Sequence, residues 1–210
     1  MTDQDSEARL LALCDVSRET IGRLRTYEGL LKKWNPAINL VSRRTLDEVW
    51  TRHFLDSAQL FAQVDDPKGI WADLGAGGGF PGLVIAILAL EKAPVLHVVL
   101  VESDQRKSTF LRTVARELSL PVTVLTGRIE DIAPIGAHIV SARALAPLPL
   151  LLDYGQRHLA PGGIALFPKG GTWKEELHEA AQQWKYEVET VPSLTEPSAI
   201  LLKLKGITRV

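Results

Sequence analysis

Trp71-Ala72-Asp73-Leu74-Gly75-Ala76-Gly77-Gly78-Gly79-Phe80-Pro81-Gly82 decides the fold. Residues 70–74 are a short apolar run ending in glycines, which predicts a buried strand. Residues 80–92 are apolar again and carry Pro81 near the first turn, which predicts a helix. Outward from this unit the alternation continues. Residues 96–101 read as a second strand, and Asp104 caps a helix running to about Leu118. Residues 122–125, 138–141 and 164–167 read as further strands, with helices over 149–159 and 172–183. Residues 186–191 and 199–204 flank a Pro-Ser-Leu-Thr-Glu-Pro connection and predict a closing hairpin. The expected fold is α/β: a seven-stranded, mostly parallel sheet with its last strand antiparallel and helices on both faces.

Ahead of the sheet the signals are helical. Ile21, Leu24, Tyr27, Leu31 and Trp34 recur at helical spacing. Trp34-Asn35-Pro36 is expected to end that helix, because the residue before a proline disfavours helical angles. Thr45-Leu46-Asp47-Glu48 has the form of a capping box, opening a helix with Leu46, Val49, Trp50, Phe54 and Leu60 down one face. The texture changes near Asp65-Asp66-Pro67-Lys68-Gly69. Residues 1–66 are therefore expected to form an N-terminal helical cap packed on a core of residues 67–210. About 65 residues make only a marginal core by themselves.

The chain has 210 residues, 46% hydrophobic and 23% charged, which excludes a disordered, collagenous or coiled-coil protein. Lys plus Arg number 24 against 25 Asp plus Glu, so any basic surface must be local. A single cysteine excludes a disulfide framework and a Cys-rich zinc site, and suits a reducing compartment. Residues 1–10 are acidic and lack the basic start and apolar run of a signal peptide. The longest apolar stretch, 83–90, is too short to cross a bilayer. A soluble cytoplasmic protein with no membrane partner and no metal is expected.

In an open α/β sheet, ligands bind at the carboxyl ends of the strands. Glycines there let the backbone approach a ligand. A dinucleotide motif G-x-G-x-x-G fails from Gly75, because its last position is Phe80. From Gly77 it gives Gly77, Gly79 and Gly82, but starts late and contains Pro81. The alternative is D-x-G-x-G: Asp73, Gly75 and Gly77. An acid before the first glycine suits a ligand with a positive ammonium, such as S-adenosylmethionine, and repels a pyrophosphate. Glu102 ends the second strand, where a carboxylate accepts ribose hydroxyls. Ile129 and Glu130 follow the third strand and suit an adenine face and its amino group. The plainer reading of that segment is a helix start with acidic first-turn residues. Motif shape favours S-adenosylmethionine and leaves a nicotinamide-dependent oxidoreductase as the alternative.

The methyl acceptor is approached by elimination. Methylation at a pyrimidine carbon needs a cysteine, and Cys14 sits among apolar neighbours as a small core residue. Methylation of an exocyclic adenine nitrogen uses an Asp/Asn-Pro-Pro-aromatic turn, where this chain has Ser141-Ala142-Arg143-Ala144. A ring nitrogen such as guanine N7 needs neither nucleophile nor base, and positioning supplies most of the rate. Residues 18–53 carry eight Lys or Arg against four acids, and Arg106, Lys107, Arg112 and Arg116 follow Glu102. Such groups suit RNA phosphates, although a solvated helix face reads the same way.

Several of these stretches together resemble one bacterial family. They are Trp34-Asn35-Pro36-Ala37-Ile38-Asn39-Leu40, His53-Phe54-Leu55-Asp56-Ser57, the glycine turn with Phe80-Pro81-Gly82, Arg128-Ile129-Glu130, Ala142-Arg143-Ala144 and Pro168-Lys169-Gly170. The chain is similar along nearly its whole length to the glucose-inhibited division protein B family, the ribosomal RNA small-subunit methyltransferases G. The resemblance implies a Rossmann-like class I methyltransferase that uses S-adenosylmethionine to methylate guanine N7 in the 530 loop of 16S rRNA. It implies Gly75 and Phe80 at the donor site, Ile129 and Glu130 at adenine, and Arg143 as the catalytic residue beside the methionine end or the nucleotide. Asn39, His53 and Lys169 are candidates for orienting the base or its phosphates, although His53 reads equally as a satisfied helix-face histidine. The implied partner is 16S rRNA or the 30S particle, met by a monomer; a non-catalytic rRNA-binding assembly factor is the remaining alternative.

Overall fold

Strand β1 (Gly69–Leu74) lies between two parallel neighbours, β2 (Leu96–Glu102) and β4 (Ala137–Ser141). The remaining strands are β3 (Val122–Thr126), β5 (Leu159–Lys169), β6 (Trp184–Pro192) and β7 (Ile200–Arg209). The sheet order is β3-β2-β1-β4-β5-β7-β6, with β7 antiparallel to both neighbours. The structure is a computed structural model describing residues 3–210; Met1 and Thr2, the start of the expected cap, lie outside the described residues. Between β1 and β4 the chain has travelled out through β2 and β3 and returned. That reversal opens a crevice at the carboxyl ends of the strands.

The seven strands match the expected set, but β5, β6 and β7 run longer. β5 starts at Leu159 because that residue pairs with Ala137 ahead of an irregularity in the ladder. β7 continues to Arg209 because Trp184 and Lys185 of β6 supply partners for Arg209 and Thr208. These extensions carry charged and glycine residues, so apolar patterning did not disclose them.

Side chains alternate between the two faces of the sheet. Trp71, Val98, Leu100, Ile139 and Leu166 pack on one face with α5 (Gly82–Lys92) and α6 (Gln105–Glu117). Ala72, Leu74, Val101, Val140, Ala165 and Phe167 pack on the other with α7 (Leu148–His158) and α8 (Trp173–Ala180). α6 begins at the predicted cap, where Asp104 Oδ1 accepts from the amides of Arg106 and Lys107.

The N-terminal helices join the first of these faces. They are α1 (Asp3–Cys14), α2 (Arg18–Ile38), the short α3 (Arg43–Leu46) and α4 (Asp56–Phe61), which a π-helical turn over Trp50–Leu55 precedes. Leu24, Tyr27, Leu31 and Phe54 share one apolar cluster with Leu83, Ile87 and Phe110. The Tyr27 and Trp34 rings lie 6.3 Å and 5.7 Å from that of Phe110.

Two expectations about this region are corrected. α2 runs through Pro36 to Ile38. The proline removes one amide donor near the helix end, and Asn39 N–H still donates to Asn35 O at 3.0 Å, with Asn39 left-handed at φ 50°. Nor does Thr45 open the next helix. Ser42 is the cap, its Oγ accepting from Thr45 N, and the helix breaks into α3, the π-helical turn and α4. Val49, Trp50, Phe54 and Leu60 are still buried, because the wider turn carries the same apolar stripe inward.

A shared cluster predicts shared unfolding. Phe110→Ala should cost about 3–5 kcal/mol, measured by urea titration. Tryptophan fluorescence and circular dichroism should trace one coincident transition in wild type and variant.

Candidate functional site

The glycine turn leaves β1 at the crevice. Gly75 has φ 69° and Gly77 φ 57°, the left-handed region that side chains rarely adopt. A Cβ on Gly75 would lie 2.6 Å from Leu145 Cδ1, whereas one on Gly77 would meet nothing closer than Gly75 O at 3.8 Å. The turn is pinned on all sides. Ala76 N–H donates to Val101 O at 2.9 Å, Tyr27 Oη donates to Gly78 O, and Gly77 N–H donates to Glu102 Oε2 at 2.8 Å.

Asp73 lies beneath the turn rather than in the crevice. Its side chain is fully buried, Oδ2 accepts from Gly82 N–H at 2.9 Å, and Oδ1 accepts from Ser141 Oγ at 2.9 Å. Burial raises its pKa to about 7, against the opposing pull of those two donors. Asp73 does not line the cleft; it ties β1 to β4 and to the start of α5. Asn39 also lies outside the cleft, exposed at the end of α2.

The other candidates meet around one cleft of about 840 Å³. Glu102 closes β2, with Oε1 accepting from Asp104 N–H at 2.8 Å and Oε2 held by Gly77. Ile129 is buried in the cleft wall, with its carbonyl accepting from His158 Nε2 at 3.1 Å. Glu130 is exposed and accepts from Tyr154 Oη at 3.1 Å. Lys169 Nζ is nearly buried, donating to Ala146 O at 3.0 Å and paired with Glu176 Oε2 at 2.6 Å.

Arg143 joins the cap to this cleft. Its Nη1 donates to Arg52 O at 2.9 Å and to Asp56 Oδ2 at 3.1 Å, and its Nη2 donates to His53 Nδ1 at 2.8 Å. The guanidinium carbon also stands 5.2 Å from the centre of the Phe80 ring. Phe80 is buried and stacks on His53 with ring centres 4.6 Å apart. Since His53 Nδ1 accepts, the ring hydrogen sits on Nε2, which has no partner among the described residues. Burial, then the charges of Arg143 and Arg52, push the His53 pKa down to about 3.

Four contributors were not singled out from sequence. Asp56 lies within the quoted His53–Ser57 motif but had no assigned role. Arg52 counted only as one of the basic residues of 18–53, and Glu196 only as one of the acids of the tail; Thr195 gave no signal, and it and Glu196 sit in the β6–β7 connection yet line the cleft. Cys14 is only half-buried, and desolvation raises its thiol to about 11, so it is no nucleophile. Among the described residues, no group of three or more His, Cys, Asp or Glu is placed to hold a metal ion. No described helix is long and apolar enough to cross a membrane.

The fold is that of a Rossmann-like class I methyltransferase. It is similar, with TM-score 0.55 and 13% identity, to a SAM-dependent methyltransferase from Aquifex aeolicus, over 71% of this chain and 88% of that one. The chain belongs to the rRNA small subunit methyltransferase G family, whose sequence profile matches residues 20–201. It is 55% identical over 197 residues to the ribosomal RNA small subunit methyltransferase G of Ruegeria pomeroyi, covering 93% of this chain and 96% of the relative. Its namesake from Cereibacter sphaeroides is 51% identical over the full length of both. The family resemblance carried by the sequence motifs is thus borne out.

A neutral buried histidine has a signed pH dependence. With its folded pKa below its unfolded value, the unfolded chain binds the extra proton, so stability should fall as pH drops from about 6.5 towards about 3. Nitrogen NMR of the His53 ring should report the neutral Nε2–H form at pH 5, and His53→Gln should flatten that part of the stability curve.

Proposed function

We propose that the protein transfers a methyl group from S-adenosylmethionine to N7 of a guanine in the 530 loop of 16S rRNA. Methylation of small-subunit rRNA with this donor is the activity of the family to which the chain belongs. One observation carries the finer reading: the cleft has a place for a nucleoside, and the groups beside Arg143 that could take a proton are already engaged. His53 is neutral with Nδ1 engaged, and Asp56 is paired with Arg143. Guanine N7 attacks through a lone pair and releases no proton, so a site built for orientation suffices.

The residues present fit S-adenosylmethionine. Gly77 presents open backbone, Glu102 borders the cleft at the end of β2, and Ile129 and Glu130 follow β3. When bound, the donor supplies an electrophilic methyl on a sulfonium. Gly75 and Gly77 admit its backbone-hugging part, Glu102 accepts the ribose hydroxyls, Ile129 packs on adenine and Glu130 accepts from its amino group. Phe80 and Arg143 form the wall between donor and nucleotide, with Arg143 holding His53 and Phe80 in place. Lys169 faces the nucleotide side, where a cation suits the base oxygen or a phosphate. Asp73 supports the turn from below, and Asn39 belongs to the outer RNA-facing surface. Gly82 packs against Asp73 and Leu100, as the third glycine of a dinucleotide turn also would, so family membership rather than this contact sets the nicotinamide reading aside. The protein acts as a monomer in the cytoplasm on 16S rRNA or the 30S particle.

The test is primer extension on 16S rRNA after borohydride–aniline cleavage. A stop in the 530 loop that appears only with protein and donor is expected. Binding of rRNA without transfer of a tritiated methyl would instead identify an assembly factor.

Gly75→Asp should abolish calorimetric binding of S-adenosylmethionine while circular dichroism is retained. At φ 69° any side chain strains the turn locally, the new one also meets the movable tip of Leu145, and it puts like charge near Glu102.

A further inference from the structure

The cleft continues past Arg143 to a second wall, made by the β6–β7 connection on the β5–β7 side of the sheet. That connection is held against the cap. Arg52 Nη1 donates to Glu196 Oε2 at 3.1 Å, Thr195 Oγ1 donates to Asp56 Oδ1 at 2.8 Å, and Leu194 N–H donates to Gln59 Oε1 at 2.9 Å. Four carboxylates line the cleft: Asp56, Glu102, Glu130 and Glu196. Glu102 and Glu130 stand at the ends of β2 and β3, on the donor side. Asp56 is fixed by Arg143, Gln59 and Thr195 and is only 17% exposed. Glu196 differs: its side chain is 42% exposed, and its partners are the exposed Ser198 Oγ and the half-buried Arg52. Those two groups hold its pKa below the usual carboxylate range, so it is ionised.

Guanine offers two parallel donors, N1–H and the N2 amino group, on the edge away from N7. A carboxylate accepts both at once. With N7 towards the glycine turn, that edge faces the β5–β7 side. We propose that Glu196 reads the target base, its carboxylate accepting from guanine N1–H and N2–H after parting from Arg52. This inference rests on the guanine-N7 reading. Transfer forms the N7–methyl bond from the N7 lone pair and leaves the broken bond's electrons on sulfur. No proton moves, and the purine takes up the positive charge. Its N1–H and N2–H become stronger donors, so the contact with Glu196 tightens in the transition state and favours rate as well as choice.

The experiment uses 16S rRNA carrying either guanosine or inosine at the target position; inosine lacks the N2 amino group. Methylation rates and equilibrium RNA affinity are both measured for wild type, E196Q, E196D and R52A. Wild type should prefer guanosine by about 10-fold, the value of one charge-assisted hydrogen bond. E196Q should lose about 100-fold in kcat/KM on guanosine RNA, and its guanosine-to-inosine ratio should fall to one or below in both rate and affinity, since the amide NH2 meets a guanine donor where the carboxylate accepted. Its affinity for S-adenosylhomocysteine should not change. E196D should restore part of the preference, and R52A should keep the wild-type ratio although the ion pair is gone. E196Q with an unchanged ratio, or R52A erasing the ratio as fully, would overturn the assignment while leaving the methylation reading intact. Wild type that methylates neither RNA overturns that reading, and this one with it.

Discussion

A buried carboxylate under a glycine turn governs this molecule. Asp73 has no access to solvent, and both of its oxygens are engaged inside the fold. One accepts from the Gly82 amide at the head of α5, where helix amides are otherwise unpaired. The other accepts from Ser141, whose Oγ also accepts from Trp71 Nε1 at 3.0 Å. The acid therefore fixes β1, β4 and α5 where the chain reverses direction, which is where the crevice opens. Placing a carboxylate there is unfavourable, as its raised pKa shows. Its two donors make it tolerable and set the turn above it in one conformation.

The second constraint is the guanidinium of Arg143. It reaches three groups of one cap segment, Arg52 O, His53 and Asp56, and faces Phe80 of the turn. Removing any one of these partners leaves a partly buried polar group short of a bond. The cap is thus more than a cover for α5 and α6: its π-helical turn supplies the near wall of the cleft. Lengthening the turn by one residue brings His53 against Phe80 and Asp56 against Arg143 while Trp50 and Phe54 stay in the core. Such insertions recur at functional sites for this reason.

Chemically, the arrangement suits a reaction limited by orientation. Near the proposed acceptor, burial keeps His53 neutral, while Asp56 is engaged by Arg143 and Lys169 by Glu176. A transfer that consumes a ring-nitrogen lone pair asks for no proton shuttle, and fixed dipoles then contribute without reorganising.

Much was legible from residues alone. Strand and helix impose periods of two and 3.6 on burial, and those periods are written into the chain. The seven strands, the glycine turn, the acid ending β2 and the cap at Asp104 followed from that local pattern. Pro36 and the Thr45–Glu48 box misled because capping and proline rules describe a helix in isolation, while Asn39 and Ser42 settled the ends here. The inward aim of Asp73, the Arg143 clamp and the arrival of Thr195 and Glu196 at the cleft were decided only in three dimensions. Arg143 meets His53 across 90 positions, and Thr195 meets Asp56 across 139. Such pairings leave no period in the sequence, because they depend on how the packed layers set distant polar atoms face to face.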